Sequence, residues 1–172
     1  MLRKVHCGHF IQIKNMSIEI ERKFLVDSFD FRKESFQKIA IKQGFLNSNK
    51  CRVVRIRIVD HIGYITVKGK SFDKGTSRFE WEKEISKPEA EKLLLLCETE
   101  PIEKNRYLIK SGNHTIEIDE FLGNNKGLCI AEIELKDKDE VYNKPQWLGK
   151  EVTGKKKYYN TKLSKHPYTT WK

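Results

Sequence analysis

The segment IEIERKFLV at residues 18–26 alternates between charged and apolar residues with a period of two. This period predicts a β-strand, because successive side chains of a strand point to opposite faces of a sheet. Glu19, Glu21 and Lys23 fall on one side of the predicted strand, and the other side is largely apolar. In a single strand, such a pattern is typical of a sheet with one face in water.

The same division recurs in six further predicted strands, so it constrains the whole fold. Their charged sides carry almost only ionisable residues, where solvent-facing strands usually mix in Thr, Ser and Gln. With the first strand, these residues are Glu19, Glu21, Lys23, Arg55, Arg57, Lys68, Lys70, Arg78, Glu80, Glu82, Glu84, Lys104, Arg106, Glu117, Asp119, Glu132 and Glu134. If the sheet closes with its apolar sides outward, these residues line a tunnel. Such a tunnel must hold water, metal and a ligand, because dry buried charges carry a large desolvation cost.

The types of charged residue indicate what a tunnel of this kind binds. Arginine makes bidentate contacts with phosphate oxygens, and lysine adds a point charge. Clustered carboxylates bind hard divalent cations such as Mg²⁺ and Mn²⁺, which also bridge phosphates. Opposed basic and acidic residues in one cavity therefore predict a polyphosphate ligand together with its metal.

The rest of the chain predicts one α+β domain without an internal linker. Residues 28–40 and 87–98 are predicted helices, and residues 41–47 are a predicted strand. The tail has turn signals at Pro145 and over residues 149–154, and then a predicted last helix. Eight antiparallel strands are enough to close a small sheet, so we predict an eight-stranded antiparallel β-barrel with a few helices packed outside.

The chain before the first strand is interpreted separately. Met16 stands directly before that strand, so we interpret residues 1–16 as an N-terminal extension that is either disordered or upstream of the true start. Residues 17–172 are the predicted single domain. The HCGH segment at residues 6–9 has the residue types of a metal site, but a lone cluster has no second half to close a tetrahedral site.

Composition narrows the class of partner. The chain of 172 residues carries a net charge of +10, which favours a polyanion. Nucleic acid is disfavoured, because regularly placed glutamates repel a phosphate backbone. Four separated cysteines without a CxxC pair argue against disulfides or a zinc knuckle. With no apolar run of membrane-spanning length and no signal-peptide pattern, we expect a cytoplasmic protein without a membrane partner, as a monomer or a homodimer.

The strand motifs resemble those of the CYTH, or triphosphate tunnel metalloenzyme, superfamily. EIERK looks like its ExExK signature, and the similarity continues in chain order with QGFL, VRIR, YITVKGK, SRFEWEKEI, IEKNRY, IDEF, AEIEL and WLGKEVTG…YYN. It covers residues 17–163 and is greatest for the compact bacterial branch, whose members are usually inorganic triphosphatases. Other branches include class IV adenylyl cyclases, thiamine triphosphatases and fungal RNA triphosphatases.

This resemblance implies a tunnel that binds triphosphate with Mg²⁺ or Mn²⁺, expected as a pair of ions. The implied metal ligands are Glu19, Glu21, Glu132 and Glu134, with Glu80, Glu82 and Asp119 as further candidates. The implied phosphate ligands are Lys23, Arg55, Arg57, Lys68, Lys104 and Arg106, with Lys157 from the tail. The implied catalytic residues are Glu19, Glu21 and Lys23.

Two positions depart from the family pattern. Phe45 in QGFL stands where the family often has Tyr, so a proton-transfer role for a phenol is absent there or taken over by another group. In the tail, Lys157 replaces an Arg and Lys155 reverses the charge of an Asp. The effect of the tail on substrate choice is therefore open.

We predict metal-dependent hydrolysis of inorganic tripolyphosphate to pyrophosphate and phosphate. The alternative enzyme acts on an organic triphosphate, as a class IV adenylyl cyclase or a nucleoside or thiamine triphosphatase. It would need a ring pocket, for which Trp147, Tyr158 and Tyr159 are candidates. A third reading is a non-catalytic module that binds polyphosphate without releasing phosphate.

Overall fold

One antiparallel sheet organises the computed structural model, which describes residues 20–70, 79–137 and 139–171. Glu19 and the HCGH segment therefore lie outside the described residues. The strand order is β5-β4-β3-β2-β6-β7-β8-β1-β9. The strands are β1 (Ile20–Val26), β2 (Gln37–Asn49), β3 (Arg52–Val59), β4 (Ile62–Gly69), β5 (Glu80–Ser86), β6 (Ile102–Ser111), β7 (His114–Phe121), β8 (Cys129–Leu135) and β9 (Leu148–Glu151).

The predicted antiparallel α+β fold is confirmed, with two differences in the sheet. It has nine strands rather than eight, because the tail adds β9 beside β1. Arg22 of β1 holds this extra strand, since its guanidinium donates two hydrogen bonds of 2.6 Å to Glu151. Second, the sheet does not close into the predicted barrel, because in the described part of the chain β5 and β9 are its two edges and do not pair with each other.

Helices are short and few. They are α1 (Phe31–Glu34), α2 (Lys87–Leu94) and α3 (Asn160–Leu163), with 3₁₀ turns at Gly123–Asn125, Lys156–Tyr158 and Tyr168–Thr170. The prediction of a helix over residues 28–40 was wrong beyond α1. The alternating Ile39 and Ile41 belong to β2, which pairs with both β3 and β6. Among the helices of the described residues, none is long and apolar enough to cross a lipid bilayer.

Helix α2 begins at a capping box. The Ser86 hydroxyl accepts a hydrogen bond from the Glu89 backbone N–H at 3.3 Å, and the Glu89 carboxylate accepts one from the Ser86 N–H at 2.9 Å. Both bonds satisfy backbone donors that a helix start leaves without partners. The helix then packs Ala90 and Leu94 against Ile56 on the apolar side of β3.

Replacing the cap residue should weaken this helix without altering the sheet. We expect Ser86→Ala to lower the free energy of unfolding by about 1 kcal/mol, because the backbone N–H of Glu89 loses its acceptor. Urea denaturation measures the change. Ser35→Ala is the matched control, since the Ser35 hydroxyl only donates to the Arg32 carbonyl, and it should change stability less. An equal effect of the two substitutions would contradict the assigned cap.

The apolar face of the sheet contains the largest core. Phe31 is fully buried at its centre, with ring centroids 5.2 Å from Tyr107 and 6.1 Å from Trp147. The cluster also includes Phe24, Ile109, Ile116, Ile118, Cys129, Ala131, Ile133, Leu135 and Leu148. Most of the strand residues in this cluster, such as Phe24, Ile118 and Ile133, occupy positions that alternation predicted to be apolar. The residues that alternate with them lie on the other face of the sheet.

We call that other side, which carries Lys23, Lys104, Arg106 and Asp119, the charged face. One end of it is apolar, because the tail packs there. Leu163 of α3 and Trp171 contact a cluster formed by Leu25, Ile102, Phe121, Leu128, Ile130, Tyr158 and Tyr168. Leu25 lies two residues beyond Lys23 on the same side of β1, so the tail covers one end of the charged residues.

Candidate active site

Two carboxylates share one ammonium group at the more exposed end of the charged face. Glu21 and Lys23 lie on β1, and Glu132 lies opposite Lys23 on β8. The Lys23 ammonium donates to the Glu21 carboxylate at 2.6 Å and also to the Glu132 carboxylate. The side chain of Glu21 is 40% exposed, whereas those of Lys23 and Glu132 are each 16% exposed.

The two carboxylates carry an excess of negative charge. Burial and the neighbouring Glu132 raise the pKa of Glu21 to about 7, although Lys23 opposes the shift. Burial also acts to raise the pKa of Glu132, but Lys23, Lys104 and Arg106 outweigh it and lower that pKa. Without a further cation, one carboxylate therefore stays ionised and the other is driven toward its protonated form.

A buried ion network lies deeper on the same face. Asp119 of β7 accepts two hydrogen bonds from the Arg106 guanidinium, of 2.7 and 2.8 Å, and a third from the Lys104 ammonium. Lys104 and Asp119 side chains are each only 2% exposed. Burial lowers the pKa of Lys104, and the two cations overcome burial to lower the pKa of Asp119. Arg106 also contacts Glu132 at 3.4 Å, which joins this network to Lys23.

A second network lies on the other half of the sheet, on β3, β4 and β5. The Arg55 guanidinium donates to the Thr66 hydroxyl at 3.1 Å, and that hydroxyl donates to Glu82 at 2.6 Å. Arg57 reaches the same carboxylate oxygen at 3.4 Å. Burial and the adjacent Arg57 lower the pKa of Arg55 to about 10. Two guanidinium groups are thus held side by side by one carboxylate.

Further positions complete this half of the face. Lys68 of β4 pairs with Glu80 of β5 at 2.8 Å. Phe45 and Gln43 of β2 lie opposite Arg55 and Arg57 in the ladder, and both are buried. Sequence reasoning missed Gln43 and Thr66, because only charged residues were sorted as candidates. Both could have been found from the alternation of their strands, because both lie on the same side as the charged residues.

Not every predicted residue joins these networks. Glu134 lies opposite Glu21 on β8 but is exposed. The Lys157 ammonium lies over the Trp171 ring, 4.5 Å from its centroid, in the tail. Trp147 is buried on the apolar face, where its indole N–H donates to Glu34, so it is not a ring platform on the charged face. Glu19 is outside the described residues.

The described residues supply only some of the ligands that a Mg²⁺ site needs. No group of three or more His, Cys, Asp or Glu side chains that could hold a metal occurs within residues 20–70, 79–137 and 139–171. The pair formed by Glu21 and Glu132 is present, and burial together with Glu132 raises the pKa of Glu21. Mg²⁺ is commonly held by one or two carboxylates together with substrate phosphates and water. A two-carboxylate site beside buried basic side chains is consistent with that mode.

The fold and these networks define an antiparallel α+β protein that keeps paired charges on one largely buried sheet face. The CYTH domain model matches residues 17–168, and the chain belongs to the CYTH domain family. An inorganic triphosphatase from Acetivibrio thermocellus is 47% identical over 158 residues, which are 91% of this chain and 99% of the relative.

Two further comparisons agree with this family. An inorganic triphosphatase from Nitrosomonas europaea is 32% identical over 150 residues, 85% of this chain and 96% of that protein. The crystal structure of an inorganic triphosphatase superimposes with a TM-score of 0.66 at 29% identity, covering 91% of this chain and 97% of the other. The chain thus shares its overall fold with a solved inorganic triphosphatase.

Proposed function

We propose that this protein hydrolyses inorganic tripolyphosphate to pyrophosphate and phosphate in a metal-dependent reaction. The observation that carries the proposal is the convergence of Glu21 and Glu132 on Lys23, beside Arg106, on a face lined with further cations. The similarity to two inorganic triphosphatases supports the same substrate class.

The metal would be Mg²⁺ or Mn²⁺, held by Glu21 and Glu132 with Glu19 as a further candidate ligand. When bound, such an ion polarises phosphoryl oxygens and lowers the pKa of bound water. Asp119 is a poor candidate ligand, because both its oxygens accept hydrogen bonds from Lys104 and Arg106. Glu82 is engaged through one oxygen, Oε2, which accepts hydrogen bonds from Thr66 and Arg55.

The basic residues would bind and orient the substrate. Arg55 and Arg57 offer guanidinium donors held in place by Glu82, which suits phosphate oxygens. Lys23 and Arg106 would offset charge near the carboxylate pair, since phosphoryl transfer depends mainly on positioning and electrostatic stabilisation. Lys68 and Lys104 add positive charge on the same face.

The positions of the aromatic residues favour an inorganic substrate over an organic triphosphate. Trp147 is buried on the apolar face, and Tyr158 packs edge-on against Trp171 at 5.4 Å. Two of the aromatic residues that the sequence offered for stacking a ring are therefore part of packed clusters. Only Tyr159 among the three is exposed.

A phosphate-release panel tests the proposal. Tripolyphosphate, pyrophosphate, ATP and thiamine triphosphate are each incubated with the protein and Mg²⁺ or Mn²⁺, and products are separated by ion chromatography. We expect tripolyphosphate to give equal amounts of pyrophosphate and phosphate, with no release in EDTA. Cyclic AMP from ATP would instead establish the cyclase alternative. Tight tripolyphosphate binding without phosphate release under either metal would establish a binding module.

A further inference from the structure

Three buried N–H donors on the charged face have no acceptor among the described residues. They are the Gln43 amide Nε2, the Arg55 Nε and the Arg57 Nε. Gln43 is only 2% exposed, so its amide does not reach bulk water. Buried side-chain donors are normally hydrogen-bonded, and leaving one unpaired is costly. A set of such donors in one place therefore indicates a missing partner.

The strand register places the three donors together. Gln43 of β2 lies directly opposite Arg57 of β3 in the antiparallel ladder, and Arg55 is two residues from Arg57 on the same side. Directly opposed residues in antiparallel strands have their Cβ atoms about 4.5–5.5 Å apart, so the side chains of Gln43 and Arg57 are neighbours. In the sheet, β2 lies between the half with Arg55 and the half with Lys104.

The chemistry of the missing partner follows from the donors. All three unpaired atoms donate, and two belong to guanidinium groups, so the partner must accept hydrogen bonds and carry negative charge. Thr66 and Glu82 already engage Arg55 through its terminal Nη2, which leaves its Nε pointing elsewhere. A phosphate group supplies several anionic acceptor oxygens and matches this set.

We propose that Gln43 is a further substrate-binding residue, whose side-chain amide donates a hydrogen bond to an oxygen of the phosphate held by Arg55 and Arg57. This inference rests on the proposed function for the identity of the anion. The site is distinct from the carboxylate pair of Glu21 and Glu132, so Gln43 contacts a phosphate group away from the metal ligands. An uncharged donor at this position adds a contact without adding a third cation beside two adjacent guanidiniums.

The test separates binding from folding and from catalysis. Gln43→Met keeps the side-chain length and removes the donor. We expect the Kd for tripolyphosphate, measured by isothermal titration calorimetry in EDTA, to rise about 10- to 100-fold, the range for a lost hydrogen bond to a charged group. The Tm of the unliganded variant should equal or exceed that of wild type, because the substitution removes an unpaired buried polar group. KM should rise more than kcat falls.

Gln37→Met is the matched control, because Gln37 is the exposed glutamine at the start of the same strand. It should change neither Kd nor KM. An unchanged Kd for Gln43→Met would overturn the inference, because the amide would then make no contact with the anion. A Tm below wild type together with an unchanged Kd would show a structural role instead. If wild type binds tripolyphosphate but hydrolyses nothing, the proposed function fails while the effect of Gln43 on Kd still tests this inference.

Discussion

Glu21→Gln is expected to reduce kcat/KM for tripolyphosphate by more than about 100-fold, because a metal ion contributes several kcal/mol of charge stabilisation and each 1.36 kcal/mol is tenfold in rate. The substitution preserves the shape of the side chain but removes a carboxylate that burial and Glu132 already perturb. Phosphate release under saturating Mg²⁺ or Mn²⁺ measures the loss. Mn²⁺ binding by the variant, followed by electron paramagnetic resonance, should weaken in parallel.

The fold should survive this change, since Glu21 is a partly exposed residue whose hydrogen bond is to Lys23. A circular dichroism spectrum and a Tm close to those of wild type would show that the Glu21→Gln variant is folded. Glu103→Gln is the control, because Glu103 is an exposed carboxylate on the opposite side of β6 that pairs only with exposed Lys42 at 2.8 Å. Full activity of Glu21→Gln, or an equal loss in Glu103→Gln, would contradict the assignment of the carboxylate pair.

Asp119→Ala is expected to have the largest effect on stability. It leaves the Lys104 ammonium buried with no carboxylate to accept its hydrogen bond, although Arg106 keeps Glu117 and Glu132. Breaking a buried ion pair by removing one partner costs about 3–5 kcal/mol, because an uncompensated charge remains. Urea denaturation of the metal-free protein should show this decrease in the free energy of unfolding.

A double substitution distinguishes charge burial from lost packing. Lys104→Met combined with Asp119→Leu removes both charges and should recover much of the stability, since apolar replacements of a buried pair are often neutral. Lys42→Ala, which breaks an exposed pair with Glu103, should cost less than about 1 kcal/mol. A double variant as unstable as Asp119→Ala would mean that shape rather than charge is responsible.

The Asp119 carboxylate should make the stability of the fold decrease at acid pH. Lys104 and Arg106 lower the pKa of Asp119 below its usual value, so its stabilising contribution is fully present above about pH 3.9, the ordinary Asp pKa. That contribution is lost as pH falls toward the lowered pKa, because the folded carboxylate must then be protonated. Between pH 5 and pH 2, wild type should lose more stability than the Lys104→Met, Asp119→Leu double variant.

Alternation alone was sufficient to place the charged residues of β1 and β8 on one face of the sheet. Glu21, Lys23 and Glu132 share one side because the period of a strand is fixed at two, whatever the tertiary context. The ion pairs among them were not predictable, because register between strands far apart in sequence decides which charges meet. Arg22 illustrates this, since it occupies a position on the apolar face and pairs there with Glu151 of a strand the sequence did not reveal.

Local signals failed where long-range pairing overrode them. Phe36 and Ile39 fit a helical spacing, yet residues 37–40 form the start of β2 because they pair with β6. In the tail, the run of lysines has no strand period, so the contact of Lys157 with Trp171 could not be inferred. Gln43 was overlooked for a different reason: its importance depends on burial without a hydrogen-bond partner, which only the structure shows.

Strand β5 forms one edge of the sheet in the described part of the chain. Trp81 on this strand is exposed, and so is Phe79 directly before it. An exposed edge with large apolar residues is a template for association between copies of a protein. Glu80, Glu82 and Glu84 place three like charges along this short strand. These carboxylates of the charged face therefore also discourage edge-to-edge aggregation. Substitutions that neutralise them should therefore also make the protein more prone to aggregate.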